Sequence, residues 1–400
     1  MLLTAARPAG PYVEAKARIA SAIEAARDEI LDLSHRIHEH PEPAFEERQA
    51  AAWIAETVAR HGYRVEHPAG RLETAVRGTL PGGRGPRGSR VAVLSEYDAL
   101  PGIGHACGHN TMAASGVGAA IGLAAVAGEV AGEIVFLGTP AEERGSGKQF
   151  MLDDGLFAGV DAAILFHPSD LTQIEARLLA SEDVDVTFLG RASHAASEPW
   201  EGVNALDALV LLFGSIGLWR QQLRPDARVH GIILEGGTAA NIIPERGVAR
   251  FMIRSSDQAY FEWMRTRFAE LCEAAARATG CTVNVEFSGR SETMRHNRLI
   301  GDRYLANLEA YGIREDPPTP NMGSSDMGNV SLALPTIHPS IAICPPGVPG
   351  HSIEFREAAR TPRADDVTLI AATVAAQVAY ELLADRSLVE AAWREFRGSR

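Results

Sequence analysis

A short stretch of the chain, residues 95–110, gathers most of the side-chain types that metal chemistry needs. Its sequence is SEYDALPGIGHACGHN, and its acids, imidazoles and thiol are Glu96, Asp98, His105, Cys107 and His109. Thiolate and imidazole groups both bind zinc-like ions, so Cys107 and His109 are candidate ligands of one metal. The alternative is an inert buried cysteine between structural histidines.

Apolar segments on both sides of this stretch predict the strands and the helix that position it. Residues 90–94 read as a buried strand, and the small apolar residues 112–126 read as a buried helix. Two more buried strands are predicted at 133–137 and 160–166. The polar side chains that follow them are Glu142, Glu143 and His167. Ligands bind at the carboxyl ends of strands in open α/β sheets, so we expect these groups to meet.

The alternation of strands and helices predicts the fold class. Amphipathic helices are expected at 13–39, 46–60 and 365–383. Together the elements indicate an α/β domain, residues 1–179 and 293–400, whose mostly parallel sheet has helices on both faces. The basic run at residues 77–90 is broken by Gly and Pro, and it is interpreted as a solvated hairpin loop between two strands.

The order of predicted strands and helices changes between residues 179 and 293. Residues 180–292 read strand, helix, strand, strand, helix, strand, which is the β-α-β-β-α-β order of a ferredoxin-like domain. We therefore expect an inserted domain there. An exposed edge strand, such as 229–234 or 182–189, would be able to pair with a second copy of the chain.

Length and composition restrict the class of protein. A chain of 400 residues predicts two domains, and a net charge of −13 argues against nucleic acid or an anionic membrane as a partner. The 4 cysteines form no CxxC motif, which favours a reducing compartment. The N-terminal residues lack the pattern of a signal peptide, so a cytoplasmic location is expected.

Candidate metal ligands come from the strand ends and from the C-terminal part. They are Cys107, His109, Glu143, His167 and His351. Five ligands exceed what one tetrahedral zinc uses, and they suit two divalent ions that share a bridging group. In the pair Glu142-Glu143, one carboxylate can bind metal while its neighbour takes a proton from water whose pKa the metal lowers toward ~7. A solvated acidic pair is the alternative.

Five segments carry a resemblance to a known family. EYDALPGIGHACGHN, GTPAEERGSGK, ASHAASEPWEGVNALDA, AANIIPE and GSSDMGNVS resemble the two-metal amidohydrolase and exopeptidase family. That family includes aminoacylases, indole-acetyl-amino-acid hydrolases, a glutamate-releasing carboxypeptidase and aminobenzoyl-glutamate hydrolase. The chain most resembles the branch with aminobenzoyl-glutamate hydrolase and the aminoacylase-like dipeptidases. The resemblance runs from residue 37 to His351 and implies a zinc-exopeptidase-like fold with residues 180–292 as a lid or dimerisation domain.

The resemblance also implies which residues bind metal. Cys107 would bridge two divalent ions, zinc or manganese. His109 and His167 would complete one metal site, and Glu143 and His351 would complete the other.

Further roles follow from the same resemblance. Glu142 matches the general base, and Asp98 matches an acid that orients a ligand imidazole. In the inserted domain, His194 matches a group that polarises the scissile carbonyl, acting in its own subunit or across a homodimer. Asn241 and Arg254 match groups that hold the substrate carboxylate, a task that suits a guanidinium fork.

The activity implied is hydrolysis of the amide bond in an N-acyl amino acid or a dipeptide-like compound, which releases a free amino acid. The alternatives are an aminopeptidase or dipeptidase acting on a free-amine substrate, and a non-catalytic binding protein of the same fold. Two positions depart from the family pattern. Asn110 stands where many relatives have Asp, and Arg144 lies in a loop that is Gly-rich in relatives.

Overall fold

The computed structural model describes residues 12–319 and 323–398, and these form two compact units. The first unit contains residues 12–176, 295–319 and 329–398, and the second contains 177–294 and 323–328. Residues 1–11, part of the segment expected to lack a signal peptide, lie outside the described residues. The use of the inserted unit as a lid or for dimerisation stays a prediction.

Helices and strands alternate through much of the first unit, and the second unit has the order strand, helix, strand, strand, helix, strand. The helices are α1 (Val13–Ala25), α2 (Arg27–Glu39), α3 (Arg48–Arg60), α4 (His109–Ala124), α5 (Gly147–Asp153), α6 (Ala205–Trp219), α7 (Gln258–Thr279), α8 (Arg298–Glu309), α9 (Met327–Ala333), α10 (Ile353–Ala358), α11 (Pro362–Ala384) and α12 (Arg386–Gly398). The strands are β1 (Arg64–Glu66), β2 (Val76–Pro81), β3 (Arg90–Glu96), β4 (Glu133–Thr139), β5 (Ala162–Ile164), β6 (His167–Ser169), β7 (Ala180–Leu189), β8 (Arg228–Glu235), β9 (Arg246–Ser255), β10 (Thr282–Ser291), β11 (Thr336–Ile337) and β12 (Ser340–Ala342).

The main sheet of the first unit has the strand order β1-β2-β4-β3-β5-β11. The pairs β4/β3, β3/β5 and β5/β11 are parallel, whereas β1/β2 and β2/β4 are antiparallel. Residues 91–94 of β3 are apolar, and the whole strand except Arg90 is buried, as expected for a strand covered on both faces. The predicted α/β fold with a mostly parallel sheet is confirmed.

Helix α4 packs directly on β3. Its first residue is His109, and Cys107 lies just before it. A side chain at Gly116 would collide with the carbonyl of Leu94, so the small residues of α4 allow this close approach. Helix α11 is also buried. Among the described helices it is the one that is long and apolar enough to cross a membrane, but 94% of its apolar window lies inside the structure. Such burial is typical of a core helix.

The second unit has a four-stranded antiparallel sheet in the order β10-β7-β9-β8. Its two helices, α6 and α7, pack against this sheet, and alternate side chains of β7 such as Val184, Val186 and Phe188 are buried. This is the predicted ferredoxin-like β-α-β-β-α-β arrangement, which is therefore confirmed.

Three local predictions were wrong. Strand β7, which contains residues 182–189, is not an edge strand, because it bonds to β10 and β9 on its two sides. Residues 82–89 do not form a hairpin loop, because β4 lies between β2 and β3. The helix predicted over 13–39 is interrupted at Ala26, whose backbone leaves helical values (φ −96°, ψ 11°).

Candidate active site

The side chains that follow β3, β4 and β5 meet in the first unit. One ligand atom from each of Cys107, His109 and His167 lies within 4.8 Å of the others, and the same holds for Cys107, Glu143 and His351. The two groups share the thiol of Cys107. The structure thus brings all five candidate ligands together in the grouping that the family resemblance implies; their roles as ligands stay predictions.

Hydrogen bonds orient two of the imidazoles. His109 Nδ1 lies 2.8 Å from the Asp98 carbonyl and 3.1 Å from its Oδ1, and His167 Nδ1 lies 2.6 Å from the Pro168 carbonyl. Each of these contacts makes Nδ1 the N–H donor, so Nε2 keeps the lone pair that a metal needs. His167 Nε2 faces Cys107 Sγ at 3.6 Å.

The backbone around Cys107 permits both neighbours to face the cluster. Gly108 has φ 78°, and a Cβ there would lie 2.7 Å from Pro168 Cγ, so glycine is required between the thiol and His109. His351 is anchored to the same loop by its N–H, which donates to the Ala106 carbonyl at 2.9 Å. The Nε2 of His351 lies 3.3 Å from Glu143 Oε1.

The turn after β4 carries the two adjacent glutamates. The amide of Glu143 donates to Asp98 Oδ2 at 2.8 Å, so Asp98 supports both this turn and the His109 ring. The Glu142 carboxylate lies 4.0 Å from His109 Nε2. A third group of ligand-type atoms within 4.8 Å consists of Glu96, His109 and Glu142.

The electrostatics of the cluster fit a divalent cation. Burial lowers the pKa of His167 to about 4, which keeps its imidazole in the neutral form that binds metal. Burial and the charge of Glu143 raise the pKa of the Cys107 thiol well above its usual value. A cation supplies the positive charge that a thiolate needs in such surroundings.

Among the five candidate ligands, two buried atoms lack a well-formed hydrogen bond within the described residues. They are His109 Nε2 and Glu143 Oε1. Buried polar atoms are almost always satisfied, so such exceptions point to a missing ion or water. Together with a donor set of thiol, imidazole and carboxylate, they show that the residues present fit divalent metal.

The inserted unit carries the remaining predicted site residues. The His194 and Asn241 loops are joined, because the Ala195 amide donates to the Asn241 carbonyl at 3.0 Å. His194 Nδ1 accepts the amides of Ala196 and Ser197 at 3.2 and 3.1 Å. This arrangement leaves the ring proton on Nε2, where it can be donated.

Arg254 lies on β9, and its guanidinium contacts the Met252 sulfur at 2.8–3.0 Å. No carboxylate of the described residues forms an ion pair with it. Burial lowers the pKa of Arg254 from its ordinary value, and the charge of Asp183 offsets only part of this shift. By contrast, Arg250 on the same strand pairs with Asp185 through two contacts of 2.7 and 2.8 Å.

The two departures from the family pattern have different surroundings. The Asn110 amide donates to Ser34 Oγ and the Ala359 carbonyl, both at 3.0 Å, a task that an Asp carboxylate does not perform. Asn110 therefore secures the start of α4. Arg144 is exposed on the loop after the glutamate pair.

Sequence reasoning did not assign several buried groups beside the cluster. Lys148 forms a buried ion pair with Glu96, and the ring of His338 packs edge-on to His167 at 5.5 Å. Glu47 bonds to the turn before Glu142. Their types alone carried no signal: Glu47 and Lys148 stand in segments that read as an ordinary polar turn or helix start, and His338 lies in an apolar segment.

Comparison with known proteins identifies the family. The sequence model of peptidase family M20/M25/M40 matches residues 92–379. The chain belongs to this family. Xaa-Arg dipeptidase of Mus musculus is 37% identical over 402 residues, covering 96% of this chain and 92% of the relative. A p-aminobenzoyl-glutamate hydrolase polypeptide of Escherichia coli is 31% identical, covering 74% of this chain and 65% of the relative.

A solved structure supports the fold of this M20 chain. The Bacillus subtilis YXEP protein, described as a dinuclear metal-binding peptidase of the M20 family, superposes with a TM-score of 0.69 at 19% identity. The match covers 90% of this chain and 99% of that protein. The chain is thus a metal-dependent hydrolase that cleaves an amide bond and releases an amino acid, as its family and relatives indicate.

Proposed function

We propose that the chain hydrolyses dipeptides or N-acyl amino acids, using two divalent ions, zinc or manganese, and Glu142 as the general base. The observation that carries this proposal is the pair of three-residue groups that share Cys107, with Glu142 beside them. Two ions that share one ligand match this geometry. When bound, they would polarise the scissile carbonyl and make water more acidic.

The chain's own residues would then move the proton. Glu142 accepts a proton from the attacking water and afterwards donates it to the leaving amine nitrogen. Its carboxylate is mostly shielded from solvent and lies 4.0 Å from the candidate ligand His109, which places it near the reacting centre. Glu143 differs in role, because its carboxylate oxygen faces His351 and belongs to a ligand group.

His194 is suited to stabilise the developing oxyanion. Because its Nδ1 accepts two backbone amides, its Nε2–H is available as a donor. A positioned donor aimed at the carbonyl oxygen lowers the barrier to attack. Asn241, on the adjoining loop, is proposed to contact the substrate's carboxylate.

Arg254 is proposed to bind that carboxylate directly. We expect Arg254→Ala to raise KM, and amidation of the carboxylate to cost about as much as this substitution. The two losses should not add, because both remove one interaction. Kinetics with free-acid and amidated substrates test this, and additive losses would place the carboxylate elsewhere. Arg250→Ala is the matched control, since Asp185 already neutralises Arg250 on the same strand.

A substrate panel tests the proposed function. Metal-loaded protein should release free amino acid from dipeptides or N-acyl amino acids, and Xaa-Arg dipeptides head the panel because a relative carries that name. Matched pairs with a free and an acetylated α-amine distinguish a dipeptidase from an aminoacylase. Absence of release from every member, with metal bound, would contradict the proposal.

We also propose that the chain forms a homodimer through the inserted unit. Strand β8 is an edge strand, and three consecutive residues on it, Ile232, Ile233 and Leu234, are exposed, at 61% for Ile232. On α6, Leu218 is 68% exposed. An exposed apolar edge strand favours pairing with a second copy. The net charge and the free cysteines favour a cytoplasmic enzyme without a nucleic acid or membrane partner.

If His194 completes the partner subunit's site, mixed dimers reveal it. A heterodimer of Glu142→Gln and His194→Ala chains should regain one site with both groups intact, so its activity should exceed that of either parent homodimer. Co-expression with two affinity tags isolates the heterodimer for the assay. A purified heterodimer without recovered activity would show that His194 acts in its own subunit.

A further inference from the structure

Glu47, at the start of α3, has a fully buried carboxylate with three donors. Its Oε1 accepts the amide of Phe45 at 3.0 Å and the amide of Ala141 at 2.9 Å. Its Oε2 accepts the hydroxyl of Thr74 at 2.9 Å. These contacts join three separated parts of the chain. The Ala141 contact reaches the residue directly before Glu142.

Both residues whose amides reach Oε1 have an uncommon backbone conformation. Phe45 has φ 65° and Ala141 has φ 59°, in the left-handed region that residues with a Cβ seldom occupy. Such conformations persist where the surrounding structure holds them, and they cluster at functional sites. Glu47 holds both through one oxygen atom.

The glutamate pair is thereby held from two sides. Glu47 accepts the amide of Ala141 before the pair, and Asp98 accepts the amide of Glu143 within it. The Phe45 ring also fills the space at Gly145, where a Cβ would lie 2.5 Å from Phe45 Cε2. The backbone on both sides of Glu142 is therefore fixed by buried carboxylates.

We propose that Glu47 is a positioning residue that fixes the turn at Ala141 and so aims the Glu142 carboxylate at the reacting centre. The proposal rests on the proposed role of Glu142. The role requires a side chain long enough to place an oxygen acceptor at the Ala141 amide. The negative charge of Glu47 is not required.

The surroundings of Glu47 agree with a neutral acceptor. Burial and the charge of Asp98 raise the pKa of Glu47 to about 7. The titratable groups that face it are Asp98 and the Tyr97 phenol. Since the folded pKa exceeds the unfolded value, Glu47 contributes stability that is lost as pH rises from about 4.5 through 7. Glu47→Gln has no carboxyl group to ionise at this position. Its urea midpoint should therefore rise relative to that of the wild type as the pH is raised from 5 to 8.

Two substitutions separate reach from charge. Glu47→Gln keeps an oxygen at the same distance without charge, and Glu47→Asp keeps the charge but is one methylene shorter. We expect Glu47→Asp to lower kcat by roughly 10- to 100-fold, with KM little changed, and Glu47→Gln to stay within a few-fold of the wild type. Thr74→Val, which leaves the Ala141 contact intact, is the matched control and should keep nearly full kcat.

Hydrogen exchange gives a readout independent of turnover. Amides of residues 139–146 should exchange faster in Glu47→Asp than in the wild type, and Glu47→Gln should remain protected. The proposal is overturned if Glu47→Asp keeps full kcat, if Glu47→Gln is the inactive variant, or if exchange in 139–146 is equal in all three proteins. Failure of the proposed function is recognised separately, because Glu142→Gln would then keep its turnover.

Discussion

Replacing Cys107 by alanine is expected to remove bound metal and hydrolysis together. Cys107 belongs to both ligand groups, so its loss weakens both sites at once, whereas each other candidate ligand belongs to only one of them. The half-buried thiol contacts other candidate ligands, with the His167 imidazole at 3.6 Å and the His109 imidazole also within hydrogen-bond reach. Elemental analysis of the purified variant, beside an activity assay, measures both effects.

A second cysteine provides the control for this experiment. Cys344 is buried in the same unit but stands outside the ligand groups, and its thiol makes a long contact of 3.9 Å to the Ser169 carbonyl. Cys344→Ala should therefore keep the metal content and activity of the wild type. Full metal content and turnover in Cys107→Ala would show that the thiol is not a ligand.

Glu142→Gln should lower kcat by roughly 10²–10⁴ while both metals stay bound. The amide side chain has nearly the same shape as the carboxylate but does not accept the proton of the attacking water. Metal binding should be unaffected, because the proposed ligand carboxylate is that of the adjacent Glu143, which groups with Cys107 and His351. Metal analysis, substrate binding and turnover of the purified variant measure these three expectations.

Glu143→Gln gives the reciprocal comparison. Its carboxylate faces His351, so the substitution should cost metal as well as activity. If Glu142→Gln is the variant that loses metal and Glu143→Gln keeps it, the roles of the two glutamates are reversed.

Local patterns predicted much of the fold, because burial on one or both faces leaves a periodic trace. The apolar run of β3 and the alternating burial of β7 are both visible in the sequence. Neighbours within a sheet leave no such trace. The sequence therefore did not reveal that β4 separates β2 from β3, nor that β7 is a central strand.

The candidate ligands were predictable for a different reason. Cys107 and His109 end the loop that follows β3, and the glutamate pair lies in the turn after β4, so chain order alone places them at one edge of the sheet. The partition of five ligands into two groups came from the family resemblance, and the geometry in the structure agrees with it.

The supporting groups were not predictable from local sequence. Glu47 stands in the segment Glu46-Glu47-Arg48, which resembles a solvated helix start, yet its side chain is buried and bonds to residues 94 positions away. The Lys148–Glu96 pair similarly joins distant segments. Burial of a charged side chain depends on tertiary partners, which a single sequence does not display.

Titration of metal-free wild-type protein with metal shows whether hydrolysis depends on two bound ions. Zinc or manganese is added in steps, and bound metal and the release of free amino acid from a dipeptide are measured in the same samples. We expect release to begin only with bound metal, to reach its plateau at two ions per chain, and to disappear on chelation. Release at the full rate from protein without bound metal, or a plateau reached well below two ions, would contradict this expectation.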